Sequence, residues 1–310
     1  MADQDIRELL AAGDEALAEA GFRTGDFGQA RELFESAHAA ATEAADLNAR
    51  ASALERLGML AHYENITKLM AGAEVKVADI DAEEKLFRQA LVCWQEAGEA
   101  AGTAQSLFGL GLVFQVLHSD WMTAMPYFWQ ALGLVNAPGQ DDLYLRSEVH
   151  RHVGFYYLVE DVQPDEAVRH LQISLDLREE LGDERRIPSG LVALAEAQLA
   201  TGSPEQAVEL LRRAVSQARG AGLLQQRIDA AEKSLQDAEA AAAGAKPPPT
   251  ASESTAPEST GPESTAPEST APESTASESS VEDDGVPGSP ASGGEAPDSS
   301  EPDKPASEGD

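Results

Sequence analysis

The histidines of this sequence are the residues whose chemistry is most versatile, and their spacing does not assemble a catalytic or metal site. His150 and His152 are two residues apart, which on a helix directs the two rings to different faces. His118 lies in a predicted turn, and His170 has no carboxylate at helical spacing that would complete a metal triad. The histidines therefore favour structural roles over catalysis.

The sequence carries no other catalytic signature. Cys93 is the single cysteine, which excludes an internal disulfide and a cysteine-ligated zinc site. It contains no Gly-rich phosphate loop, no His-Glu-x-x-His motif and no nucleophile elbow. We expect a protein with no catalytic activity, no cofactor and no metal. The alternative, an enzyme with unfamiliar residues, requires a deep polar pocket with converging titratable groups.

A stripe of small, large and small residues at positions i, i+4 and i+7 recurs five times along the chain. On an α-helix these positions share one face, where the small residues let a neighbouring helix approach closely. The pattern predicts a helical repeat array, an architecture typical of binding proteins. The copies are Ala30–Phe34–Ala37, Glu83–Phe87–Ala90, Ala124–Phe128–Ala131, Ala167–Leu171–Ser174 and Ala207–Leu211–Ala214.

Composition divides the chain near residue 245. Of the 17 prolines, 12 follow Lys246, and no aromatic residue does. We predict one folded domain over residues 1–245, followed by an acidic tail over residues 246–310 that carries Ala-Pro-Glu-Ser-Thr repeats and is disordered. Three interpretations of the tail stay open: a solubilising linker, a substrate for Ser/Thr phosphorylation, and an acidic segment that folds back over any basic groove.

The charge of the chain argues against two classes of partner. The formal net charge is −33, and the tail contributes fifteen acidic residues against two lysines. Phosphate backbones and anionic lipid would repel such a chain, so we expect neither nucleic acid nor a membrane as partner. The N-terminus lacks the basic and apolar regions of a signal peptide, and we identified no apolar run of membrane-spanning length. These features predict a cytoplasmic protein.

Glycines on the intervening helices add a second part to the repeat pattern. Leu57-Gly58, Leu110-Gly111 and Gly154 with Tyr157 precede the second, third and fourth copies of the stripe. With these motifs the array resembles tetratricopeptide repeats, whose unit is a pair of antiparallel helices. Successive copies are 53, 41, 43 and 40 residues apart, longer than the family's unit of about 34. The resemblance is therefore to bacterial regulatory proteins with extended repeats; another type of α-repeat stays the alternative.

The resemblance implies an all-α fold, a right-handed superhelix (α-solenoid) of about five helix-turn-helix repeats. We expect the segment Leu223 to Ala243 to be a C-terminal capping helix, because it carries fewer large apolar residues. We also expect Ala73–Asp81 to be a loop inserted in the second repeat, with Asp81 capping the helix that follows.

The resemblance further implies a concave groove lined by the first helix of each repeat. Such a groove would bind a partner protein or peptide as a scaffold; the alternative is a regulatory sensor that binds a short signalling peptide and changes the curvature of the superhelix. Arg151 is the main basic residue at the groove positions, and Trp121 is a candidate interface anchor outside them. The expected groove residues are Glu55, Met59, His62, Gln105, Phe108, Leu112, Gln115, Glu148, Arg151, Phe155, Leu158, Val192, Glu196 and Leu199.

Overall fold

The structure, a computed structural model, describes residues 2–244. Within this range the chain forms eleven α-helices and no strand, and consecutive helices pack on one another as an α-solenoid. The predicted tail over residues 246–310 lies outside the described residues. The helices are α1 (Ala2–Glu19), α2 (Gly28–Glu43), α3 (Leu47–Met70), α4 (Val77–Ala97), α5 (Ala100–Leu112), α6 (Trp121–Val135), α7 (Leu143–Val159), α8 (Pro164–Leu181), α9 (Ile187–Ala200), α10 (Pro204–Gly220) and α11 (Gln225–Ala242).

The ends of several helices follow from local side-chain chemistry. Asp46, Asp120 and Asp142 each accept a hydrogen bond from a backbone amide in the first turn of α3, α6 and α7, respectively. These bonds satisfy amides that have no partner inside the helix. Two helices continue as a turn of π-helix, α1 into Ala20–Thr24 and α5 into Val113–Leu117. Capping therefore sets where three of the helices begin.

The predicted stripe is buried in every one of its five copies. Each of the fifteen residues is at most 1% exposed to solvent. They lie on the even-numbered helices from α2 to α10, and each of these packs against the odd-numbered helix that precedes it. The five helix pairs therefore match the predicted repeat register.

Glycines on the odd-numbered helices form the seats on which the large residue packs in four of the five stripes. A Cβ atom on Gly111 would lie 2.4 Å from the Phe128 ring, and one on Gly154 would lie 2.7 Å from Leu171 Cγ. Gly58 and Gly109 both face Phe87 in the same way. The absence of a side chain at these positions is what allows the two helices of a pair to approach so closely.

The predicted loop over Ala73–Asp81 is wrong in its second half. Helix α4 begins at Val77, and Asp81 lies inside its second turn rather than at its cap. Ile80 is 7% exposed and packs in a cluster with Phe87 and Leu110. Burial of this apolar residue stabilises the additional helical turn, a tertiary effect that local turn signals do not report.

One helical segment is long and apolar enough to span a membrane by length and composition alone, which corrects the expectation that no such run exists. The 18 residues of Ala100–Leu117 have a mean hydropathy of 1.4, and 56% of them are buried inside the described fold. Phe108 and Leu112 of this segment belong to the largest core cluster, together with Phe128 of α6. Its apolar character thus serves packing against its neighbours α4 and α6.

The two ends of the solenoid contact each other. The Leu224 amide donates a hydrogen bond of 2.9 Å to the Phe22 carbonyl oxygen, and Arg227 Nη2 donates one of 2.8 Å to the Gly21 carbonyl oxygen. Phe22 also packs in an apolar cluster with Leu223 and Ile228. Helix α11, predicted as a capping helix, therefore closes the concave face against the first repeat as well as covering α10.

Candidate binding site on the concave face

The structure brings eight of the fourteen predicted groove residues around one cavity of about 310 Å³. The cavity lies between α3, α5 and α7, and its wall also includes Tyr63 and Tyr144. The size and mixed polarity of the wall suit part of a peptide or a small ligand. The eight residues are Met59, His62, Phe108, Leu112, Gln115, Glu148, Arg151 and Phe155.

The other six predicted residues are distributed around this cavity. Glu55 and Gln105 line an adjoining cavity of about 940 Å³, and Val192 lines one of about 170 Å³. Leu158 packs in the core around α8 and α9. Leu199 packs against α10 and α11, and Glu196 is exposed. The last three residues line none of these cavities.

Phe108 and Leu112 are core residues as much as wall residues. They are 4% and 3% exposed, and the Phe108 ring lies 5.8 Å from that of Phe128. His152, which the groove prediction did not include, packs against both of these rings, and its Nδ1 lies 2.6 Å from Gln115 Oε1. Burial, reinforced by Arg151, lowers the pKa of His152 to about 3, so this ring is neutral at physiological pH.

His62 is held by a buried network instead of facing open solvent. Its Nδ1 lies 2.6 Å from Glu83 Oε1, and Asn65 Nδ2 donates a hydrogen bond of 2.9 Å to Glu83 Oε2. Glu83 is fully buried. The network explains why one copy of the stripe begins with a glutamate where the other four have alanine: the carboxylate occupies the small position because two polar partners on α3 satisfy it.

Arg151 faces the cavity without an acceptor. Its guanidinium lies 4.5 Å from the centroid of the Phe155 ring, and its Nε is buried and has no hydrogen-bond partner in the described structure. Burial and the neighbouring charge of Arg178 lower the pKa of Arg151 to about 10. The predicted basic groove residue is therefore present and available to an anionic ligand.

Three further arginines reach the concave face and were not predicted to do so. Arg178 of α8, Arg186 of the turn before α9 and Arg227 of α11 line a cavity of about 550 Å³ together with Arg151 and Glu148. Groove positions transferred from first helices alone cannot identify them, since one lies on a second helix, one in a turn and one in the capping helix. Arg151 stays the one arginine at the predicted groove positions, and the structure places three more beside it.

Glu148 neutralises one of these arginines. Its Oε1 accepts a hydrogen bond of 2.6 Å from Arg178 Nη2. Burial alone would raise the pKa of Glu148, but Arg178, Arg151 and Arg186 outweigh it and hold that pKa below its ordinary value. The carboxylate is thus ionised and already paired.

Trp121 is half-buried, with its ring centroid 6.1 Å from that of Tyr156. The ring centroid of Trp129 lies 6.0 Å from that of the same tyrosine, and Trp129 is 49% exposed. Met122, next to Trp121, is 81% exposed. These residues form a small aromatic surface, and its more exposed tryptophan is Trp129, not the predicted anchor.

The histidines do not form a metal cluster in the described part of the chain. His150 and His170 approach through Nδ1 atoms 3.1 Å apart, and burial lowers the pKa of both rings to about 4. Within residues 2–244, no group of three His, Cys, Asp or Glu side chains is arranged to hold a metal ion. The buried imidazoles are neutral packing partners at physiological pH.

Comparison with known proteins identifies no family for this chain. No protein-family model matches it, and no curated protein matches it. Among solved structures, the crystal structure of BtubC (BKLC) from P. vanneervenii is similar, with 18% sequence identity and a TM-score of 0.48. The match covers 71% of this chain and 92% of that chain. A likeness of this size carries no information on function.

Proposed function

We propose that this chain is a cytoplasmic, non-enzymatic binding protein of tetratricopeptide type, which holds a short segment of a partner protein on its concave face. The observation that carries the proposal is the cavity of about 310 Å³, whose wall contains eight residues that sequence reasoning placed in the groove. This cavity shares Tyr63, Glu148 and Arg151 with the arginine-lined cavity of about 550 Å³. Together the two cavities offer apolar, aromatic and charged contacts along one path.

Closure of the solenoid favours a segment over a folded partner. Residues of α3, α7 and α11 line the same cavity, so a ligand there is surrounded on several sides. A folded domain would have to separate α11 from the first repeat before it reached this wall. An extended peptide needs much less space and presents its side chains to several pockets in turn.

The proposal is tested by affinity capture with the full-length chain as bait. Phe155 is half-buried in the cavity wall, so Phe155→Ala should weaken retention of the partner at least tenfold, as truncation of a central aromatic contact does. Trp129→Ala is the matched control, because it removes an aromatic ring from the outer surface instead. Thermal unfolding of both variants verifies that each stays folded. A partner lost with Trp129→Ala and retained with Phe155→Ala would place binding on the aromatic surface and overturn the proposal.

A second candidate function is a sensor whose curvature changes when the peptide binds. The contact between Phe22 and Leu224 favours it, because a ligand entering the enclosed face has to part or rearrange this contact. Thr24 and Gln226 are exposed and lie on opposite sides of the contact. Spin labels at Thr24→Cys and Gln226→Cys, in a chain with Cys93→Ala, should move apart when a captured peptide binds. An unchanged distance distribution would contradict the sensor function and leave the scaffold as the remaining function.

A further inference from the structure

Four guanidinium groups converge on the cavity of about 550 Å³. Arg151, Arg178, Arg186 and Arg227 line it, and Glu148 is the one carboxylate in its wall. The wall thus carries a formal charge of +3 in a chain whose net charge is −33. A concentrated positive charge inside an acidic protein is unfavourable unless a negative group enters.

The acceptors of the protein do not satisfy these donors. Arg178 is 2% exposed and donates to Glu148, to the Arg186 carbonyl oxygen and to Ser189 Oγ, but its buried Nε has no partner. Asp183 binds Arg186 outside the cavity wall.

The other two arginines have still fewer acceptors. Arg227 donates to the Gly21 carbonyl oxygen, and its buried Nε has no partner. Arg151 makes no hydrogen bond or ion pair among the described residues; it contacts the Phe155 ring, and the charges of Glu148 and Glu196 act on it at longer range. The Nε donors of Arg151, Arg178 and Arg227 are thus buried without an acceptor among the described residues, which is costly. An oxyanion in the cavity would offset the charge of these three guanidiniums.

The charge and geometry of the cluster favour phosphate over a single carboxylate. Asp183 pairs with Arg186 from outside the wall, so that two of the positive charges stay uncompensated. A carboxylate would neutralise one of them, whereas a phosphate dianion neutralises both and offers three terminal oxygens. Arginine forks bind two phosphate oxygens at once, and burial strengthens each bond by excluding water. Phe22 restrains two of the guanidiniums, with Arg186 and Arg227 lying 5.1 and 4.9 Å from its ring centroid.

We propose that the cluster of Arg151, Arg178, Arg186 and Arg227 binds a phosphate group, carried either by a side chain of the partner peptide or by a small molecule. The inference deepens the proposed function, since the phosphate lies next to the cavity of about 310 Å³ and shares Arg151 with it. A phosphate bound there would also link α7 and α8 to α11 through one ligand.

The test measures thermal stability and calorimetric binding of the full-length chain with inorganic phosphate, with chloride balancing the ionic strength. Phosphate should raise the melting temperature, and the double variant Arg151→Met, Arg227→Met should abolish that rise. The test compares the phosphate-induced rise in melting temperature within each protein, because Arg227→Met also removes the hydrogen bond to the Gly21 carbonyl oxygen and so lowers the melting temperature without phosphate. Arg212→Met is the matched control: this arginine of α10 is exposed and pairs with Glu239, so its phosphate response should equal that of the wild type.

Two further arms identify the source of the phosphate. A phosphoserine peptide that binds at least tenfold tighter than its unphosphorylated form, and loses this preference in the double variant, supports both the phosphate site and the peptide function. Glycerol phosphate binding that the double variant abolishes, with no binding of either peptide, supports the phosphate site and argues against the peptide function. A phosphate response that is absent, or equal in the wild type and the double variant, overturns the phosphate site and leaves the peptide function to its own capture experiment.

Discussion

At the scale of single residues, Glu55 is a carboxylic acid whose ionisation depends strongly on the fold. Glu55 is 5% exposed, and its Oε2 has no hydrogen-bond partner in the described structure. Burial raises the pKa of Glu55 to about 7, against the opposing charge of Arg56. Between pH 4.5 and about 7, Glu55 is therefore mostly protonated in the folded chain and mostly ionised in the unfolded chain.

This shift predicts a pH-dependent loss of stability. The contribution of Glu55 is fully present below pH 4.5, the ordinary pKa, and is lost as the pH rises through about 7. Glu55→Gln, which cannot ionise, should be more stable than the wild type at pH 8, by up to about 3 kcal/mol. At pH 5 the advantage should be small. Urea unfolding at the two pH values measures the difference, and an equal difference at both would contradict the raised pKa.

Glu83 differs from Glu55 in that both of its carboxylate oxygens have a hydrogen-bond partner. Glu83→Ala restores the alanine of the other repeats, yet it removes the acceptor of His62 and Asn65, which are 3% and 2% exposed. We expect the free energy of unfolding to fall by about 3 kcal/mol, since two buried polar groups lose their partner. Glu83→Gln keeps an acceptor oxygen and should cost less. If Glu83→Ala unfolded in urea at the wild-type midpoint, the network would have no stabilising role.

At the scale of helices, glycine seats decide how closely the two members of a repeat approach. Gly154→Ala places a methyl group 2.7 Å from Leu171 Cγ and should destabilise the fold by about 1–3 kcal/mol through overpacking. Gly133→Ala is the control, because this glycine also lies in a helix but has nothing within 4 Å of the position that a methyl group would take. It should stabilise by up to about 1 kcal/mol through helix propensity. Equal midpoints for the two variants in urea would contradict the proposed seat.

The helical pattern of the sequence predicted the buried stripes and the pairing of helices because both are local, whereas the glycine seats were not predicted. Small and large residues at fixed spacing mark one helix face, and the partner of each helix is its neighbour in the chain. The convergence of Arg178, Arg186 and Arg227 is not local. It depends on α11 returning to the first repeat, a contact between residues about two hundred positions apart, as in the bond from Arg227 to Gly21. Spacing within one repeat contains no information on that closure.

At the scale of the whole described fold, closure depends on Phe22. This ring is 5% exposed and packs on Leu223 and Ile228 while two arginines lie over it. Phe22→Ala should reduce stability by about 3 kcal/mol and speed amide exchange in α11. Hydrogen exchange measured by mass spectrometry compares α11 with α5, whose exchange should stay slow. Unchanged exchange of α11 would show that the end contact does not stabilise the closed solenoid.

Photo-crosslinking tests most directly whether a ligand occupies the concave face. A photoreactive phenylalanine analogue replaces Phe155 in one full-length chain and Trp129 in another, and both are illuminated in native extract. We predict a crosslinked partner segment at position 155 and none at position 129, with the 155 adduct suppressed by excess phosphopeptide. A partner crosslinked at 129 and absent at 155 would contradict occupancy of the concave face and place recognition on the outer aromatic surface.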